Sequence, residues 1–233
     1  REVQALNDTF PTFNLKLRNS SSKNVTALSI EIRADGRPRI SAIAHNRDAV
    51  PVIVAGGTYE YKRQFVSSAA QAGGGYTPET LPNQSLIIKA ALFDDGTFEG
   101  DAGFAVRYRA FALGARTQLA RLEASYRQAL QSTEPETQAA LDNLLRQFNA
   151  LDTEVDARAF EKLLIDFPGN SVDRPLLKQG VELMMFETKK EAVKAVEEFR
   201  LKQSSANDTE ALRAWLIASR DRYQKWHDRL SKL

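Results

Sequence analysis

Leu92-Phe93-Asp94-Asp95-Gly96-Thr97-Phe98-Glu99-Gly100-Asp101 runs straight into Ala102-Gly103-Phe104-Ala105-Val106-Arg107-Tyr108, and the hydrophobic period changes across that join. Upstream, Phe13, Leu15 and Leu17 alternate with Asn14, Lys16 and Arg18, and Leu28, Ile30 and Ile32 alternate with Ser29, Glu31 and Arg33. A period of two is that of a half-buried strand. Downstream, Phe104, Tyr108, Phe111, Ala115, Leu119, Leu122, Tyr126 and Leu130 form one stripe of a long helix. The switch predicts an α+β chain of two domains, a β domain over 1–100 and a helical domain over 101–233.

In the β half, Asn19 to Asn24 reads as a polar loop and Asp35-Gly36 as a tight turn. Ile40 to Ala44 and Val50 to Val54 are weaker strands, with Pro51 marking an edge. Thr58 to Phe65 places Tyr59, Tyr61 and Phe65 inward, and Leu86 to Phe93 is the most apolar strand. Gln71 to Asn83, with Gly73, Gly74 and Gly75, reads as a mobile loop. Short antiparallel strands without intervening helices predict a sandwich of the immunoglobulin or fibronectin type. Neither tryptophan lies in this half, so the Cys-Trp-Cys core of antibody domains is missing.

The helical half reads as an antiparallel bundle, with helices at about 102–131, 135–151, 154–167, 173–203 and 208–231. Asp101 stands ready to cap the first, and only Glu99 and Gly100 separate it from Phe98. Thr133 with Glu136 and Asn207 with Glu210 have capping-box spacing, while Pro168-Gly169-Asn170 ends the third helix. The short Ser204-to-Asn207 connection folds the last two helices into a hairpin.

Composition excludes several function classes. The chain has 233 residues and a formal charge of +2, from 32 Lys plus Arg against 30 Asp plus Glu. Near balance argues against a dedicated nucleic-acid or acidic-membrane binder. With no cysteine, thiol catalysis, disulfides and Cys-ligated zinc are excluded. No apolar run approaches the ~18 residues of a membrane span. The first residues are Arg1-Glu2-Val3, a start consistent with a removed leader or a truncation boundary. Asn7, Asn19, Asn24, Asn83 and Asn207 occupy N-x-S/T sequons, which matter only in a glycosylating pathway; turn chemistry accounts for the same residues.

The stretches Asn19-Ser20-Ser21-Ser22-Lys23-Asn24-Val25-Thr26, Ala55-Gly56-Gly57-Thr58-Tyr59-Glu60-Tyr61 and Leu92 to Asp101 resemble those of exported bacterial proteins of unknown function with a small sandwich domain. The resemblance covers roughly residues 10–101. It implies export, to the periplasm or the extracellular space after a signal peptide, and brings no catalytic residues.

Candidate chemistry is sparse. Asp94, Asp95, Glu99 and Asp101 bracket Gly96 and could offer oxygens to a cation, but the spacing is not that of an EF-hand. Turn and cap roles explain them better. His45 and His227 fall in different domains, without His-x-x-x-His spacing and without a Gly-x-Ser-x-Gly elbow elsewhere. The triple glycine has no helix after it and no lysine, so it is no phosphate loop. Arg107, Arg109, Arg116, Arg121 and Arg127 flank the apolar seam of the first helix on both sides, as interhelical ion pairs do, rather than gathering into a basic face.

Trp215, Tyr223 and Trp226 share a face with Leu212, Leu216 and Leu230 on the last helix. They are candidates for a ligand or partner site, with bundle core as the commoner use of such a stripe. Met184, Met185 and Phe186 would oppose them. The sequence therefore predicts a non-enzymatic exported interaction or structural module, without metal or cofactor, whose partner is a protein or cell-envelope component. The alternatives are an enzyme or small-molecule binder with its site at the sandwich–bundle junction, and an intracellular helical adaptor.

Overall fold

The computed structural model describes residues 3–6, 12–34, 36–45, 51–64, 68–70, 76–78, 84–131, 137–166, 173–202 and 209–233. The protein is α+β with antiparallel sheets. Its contacts divide it into two compact units between Asp101 and Ala102.

The first unit carries β1 (Val3–Leu6), β2 (Thr12–Arg18), β3 (Val25–Ala34), β4 (Arg37–His45), β5 (Thr58–Gln64), β6 (Ser68–Ala70), β7 (Tyr76–Pro78), β8 (Gln84–Phe93) and β9 (Phe98–Gly100). They form sheets ordered β1-β2-β5, β4-β3-β8-β9 and β6-β7. Alternation works as the period demanded: Leu15 and Leu17 are buried while Asn14, Lys16 and Arg18 are exposed. Those two leucines share one core with Leu28, Ile30, Ile32 and Leu86 of the four-stranded sheet, with Tyr59 and Tyr61 of β5 packed against it.

A bulge interrupts the β3–β8 ladder, where Val25 pairs with Phe93 and Ala27 with Leu92. Thr26, the extra residue, is buried and donates its hydroxyl to the Leu92 carbonyl at 3.0 Å. At the end of β9, opposite Ala90 of β8, Gly100 adopts φ 93°, and a Cβ there would stand 2.2 Å from the Lys89 oxygen. The Asp101 amide donates to that same oxygen at 3.0 Å.

Two strand readings need correction. Tyr76–Pro78, inside the stretch read as loop, pairs with Ser68–Ala70. Backbone pairing overrode the glycine and proline content around it. The proposed strand at Val50 to Val54 reduces, within its described part, to a single bridge between Ile53 and Val25. Asp35, Phe65, the triple glycine, Thr133 with Glu136, Pro168 to Asn170 and Asn207 lie outside the described residues.

The second unit holds α1 (Ala102–Gln131), α2 (Thr137–Ala150), α3 (Ala157–Ile165), α4 (Arg174–Lys202) and α5 (Thr209–Leu230). Helix α1 is the hub and packs against each of the other four. One core joins Leu119, Leu122 and Tyr126 to Leu141 and Phe148 of α2, Val196 of α4, and Tyr223 and Trp226 of α5. A second joins Val106, Ala110 and Leu113 to Phe160 and Leu163 of α3, and to Leu177, Val181 and Met185 of α4.

Helices α1 and α4 touch through backbone. A Cβ on Gly114 would sit 2.1 Å from the Val181 oxygen, so only glycine permits this approach. Helix α3 begins at Asp156, whose carboxylate accepts from the Ala159 amide at 2.7 Å. Lys189 of α4 donates to the carbonyls of Asn149 and Leu151 at 3.0 and 2.8 Å, covering the C-terminal end of α2.

Candidate functional site

The aromatic residues singled out on α5 separate into two environments. Tyr223 and Trp226 are 2% and 5% exposed and belong to the bundle core. Trp215 is half-buried, stacking on Phe199 at 4.6 Å and meeting Tyr126 edge-on at 6.0 Å. Tyr126 in turn lies edge-on to Phe148 at 5.3 Å and stacks on Tyr223 at 5.6 Å. Both phenol oxygens are buried outside hydrogen-bond geometry, although Ser219 and the partner phenol lie close to Tyr126. Burial pushes the Tyr126 hydroxyl well above its ordinary value and that of Tyr223 up to about 12.

The acidic quartet is dispersed over separate tasks. Asp95 pairs with Lys23 at 2.7 Å and accepts from the Thr97 hydroxyl and amide at 2.6 and 3.0 Å. The Lys23 hydrogen bond, followed by those from Thr97, holds its carboxyl well below the usual carboxylate range. Asp94 accepts from the Asn24 side chain at 2.7 Å. Glu99 lies exposed on β9 opposite Ala91, and Asp101 immediately precedes α1. Among the described residues no three His, Cys, Asp or Glu side chains converge as metal ligands would. Of the histidines, His45 ends β4, and His227 of α5 lies 3.7 Å from Asp228.

Sequence reasoning missed Asn19 as a structural hub. It is 6% exposed, and its amide donates to the carbonyls of Lys23 and Val54 at 2.7 and 3.1 Å. Its side-chain oxygen accepts from the Ser21 amide and hydroxyl. The sequon asparagine therefore staples the β2–β3 loop to the segment before β5. Only its adjacency to Ser20-Ser21 hinted at such a turn.

The arginines of α1 do not act alike. Arg121 reaches Asp152 at 2.8 Å, and Arg127 pairs along its own helix with Glu123. Arg107 is exposed and makes no hydrogen bond or ion pair among the described residues.

Arg107 borders an apolar concavity of the bundle, a groove of about 450 Å³ between α1 and α4. Its walls include Ala110 and Phe111 on one side and Leu176, Gln179, Gly180 and Leu183 on the other. Gly180 leaves room for the Phe111 ring, which an added Cβ would approach to 2.8 Å. Leu176, Leu183 and Phe186 are 51%, 52% and 48% exposed. They fall on one face of α4 and extend over about 15 Å of helix.

This corrects the expectation for Met184, Met185 and Phe186. Met185 is buried, Met184 is half-buried and Phe186 faces solvent. Three consecutive helical residues turn through about 200° and cannot share one seam.

Comparison with protein-family models, curated proteins and solved structures finds no match to the chain.

Proposed function

We propose that this chain is a non-enzymatic interaction module whose α1–α4 groove receives an amphipathic helix from a partner protein. The exposed row Leu176, Leu183 and Phe186 carries this reading, because burying such a row removes apolar surface from water. In helix-in-groove recognition an amphipathic helix lays its apolar face into a hydrophobic groove of this kind. Arg107, at the rim and without an ion pair among the described residues, favours a partner helix with an acidic residue beside its apolar face. On the same reading the β unit is a small immunoglobulin- or fibronectin-like sandwich. The shared core of the β1-β2-β5 and β4-β3-β8-β9 sheets supports that. Export follows from the resemblance of residues 10–101, within a division at 1–100 and 101–233.

The test uses two labelled helical peptides with leucines on one face, one flanked by glutamate and one by lysine, followed by fluorescence anisotropy. The glutamate peptide should bind more tightly. Leu183→Asp should abolish binding, and Arg107→Gln should erase the preference between the peptides. Indifference of either peptide to Leu183→Asp overturns the proposal, as does failure of both to bind. Sedimentation of the protein alone covers the remaining occupant: a dimer dissolved by Leu183→Asp would replace the foreign helix with a second copy.

A further inference from the structure

We propose that the α1–α2 hairpin carries a binding site for a neutral sugar ring. Between the two helices lies a cavity of about 330 Å³, near the lower end of the ~300–1,000 Å³ range of small-molecule sites. Gln128 and Gln131 of α1 line one wall, three residues apart on one face. Asn143 and Gln147 of α2, one turn apart, line the other. Ala129 and Ala140, one from each helix, add apolar surface.

The polar lining is made of carboxamides. Arg107 borders the α1–α4 groove, and Glu210 and Arg213 line a cavity at the start of α5. Here, among the described residues, no charged side chain lines the wall. The amides are also uncommitted. Gln138 of α2 donates to Asp142 at 3.0 Å, and Gln118 of α1 accepts from Arg121 at 3.4 Å. Gln128, Gln131, Asn143 and Gln147 make no side-chain hydrogen bond among the described residues. The side-chain oxygen of Gln147 is buried without a partner. Turning that amide over would bury a donor in its place, so either orientation leaves a polar atom in want of a hydrogen bond.

That chemistry narrows the ligand. With no opposite charge in the wall, a carboxylate, phosphate or ammonium would lose hydration without compensation. An apolar ring would leave the Gln147 oxygen unpaired. A carboxamide offers a donor and an acceptor side by side, and two adjacent ring hydroxyls return an acceptor and a donor. A pyranose meets both demands, with its hydroxyls toward the amides and its C–H face against the alanines. The same ring could arrive free or as the end unit of a glycan. This site shares no lining residue with the α1–α4 groove, and it stands or falls separately.

Saturation-transfer NMR titrations with methyl glucoside, methyl galactoside and methyl mannoside test the assignment, with cyclohexanol and glycerol as controls. At least one glycoside should bind. Tighter binding of its 1,4-linked trisaccharide would identify the end of a glycan, and equal or weaker binding a free sugar. Gln147→Leu should weaken the glycoside roughly tenfold, the loss of one hydrogen bond. The same variant should melt no lower than the parent, because it removes an unpaired buried polar atom; a purely structural glutamine would lose stability instead. Gln128→Ala, on the exposed side, provides a second variant if Gln147→Leu fails to fold. Absence of binding by all three glycosides overturns the site. So does equal binding of cyclohexanol or glycerol, or an affinity indifferent to both Gln147→Leu and Gln128→Ala.

Discussion

The rings of Tyr126 and Tyr223 stack with centroids 5.6 Å apart and planes inclined by 29°, joining α1 to α5 deep in the bundle. Each hydroxyl is buried outside hydrogen-bond geometry, so each phenol must stay protonated for the contact to persist.

Alkaline pH should therefore destabilise the fold through this pair. The unfolded chain releases these protons near the ordinary phenol value of 10.0, whereas native Tyr223 holds its proton up to about 12. The native state then binds more protons than the unfolded state in that window, and stability falls as pH rises through it. Urea melts across the window should show the decline, and Tyr223→Phe should flatten it. At neutral pH the same variant should change stability by less than about 1 kcal/mol, because the hydroxyl it removes makes no hydrogen bond of good geometry among the described residues. An equally steep decline in Tyr223→Phe would place its cause elsewhere.

The two tryptophans of α5 should respond unequally to truncation. Trp226→Ala removes a ring that is 5% exposed and should cost ~3–5 kcal/mol through lost burial and the cavity left behind. Trp215 is half-buried against Phe199, so Trp215→Ala should cost about 1–2 kcal/mol. Denaturant melts of the two single variants decide the order, and a larger loss at Trp215 would contradict the packing described.

Asn19→Ala should be among the most damaging substitutions in the β unit. It removes the bonds donated to the carbonyls of Lys23 and Val54, which keep only the Ser21 hydroxyl and the Gly57 amide, and it removes the acceptor used by Ser21. Four hydrogen bonds are lost, each worth about 0.5–1.5 kcal/mol net, so a total on the order of 3 kcal/mol is expected in urea melts. Asn19→Asp keeps the acceptor but loses both donated bonds, and it should be destabilising as well. A near-neutral Asn19→Ala would show that water replaces these bonds without loss.

Calcium and EDTA should both leave the melting temperature unchanged. Asp95 already has Lys23 and Thr97 as partners, and Asp94 has Asn24. A cation would have to displace those contacts before binding. A rise of several degrees with calcium would contradict this assignment of the acidic loop.

Secondary structure was legible wherever one face of an element is buried and the other wet. That is why β2 and the ends of α1 follow from the apolar pattern, and why α4 and α5 start and stop within two residues of expectation. The β6–β7 pair was not legible, because three residues of strand are too few for alternation to register. Asn19 looked like any polar loop residue, since its burial comes from the distant carbonyl of Val54. The α1–α4 groove was hidden for a different reason. Leu176, Leu177, Val181, Leu183, Met184, Met185 and Phe186 surround α4 almost completely, and a wheel does not say which of those faces finds a neighbour.

Gly114 also determines how α4 is able to move. One turn along α1 in either direction stand Ala110 and Gln118, each bearing the Cβ that Gly114 lacks. Sliding α4 by a turn would drive the Val181 carbonyl into one of those carbons, at the 2.1 Å separation that Gly114 alone avoids. The two helices are thus keyed at a single notch, and a piston-like ratchet of one past the other is closed to this bundle. A helix seated in the groove would press against walls of fixed register, so it would gain affinity from a rigid, preformed seat rather than from rearranging one.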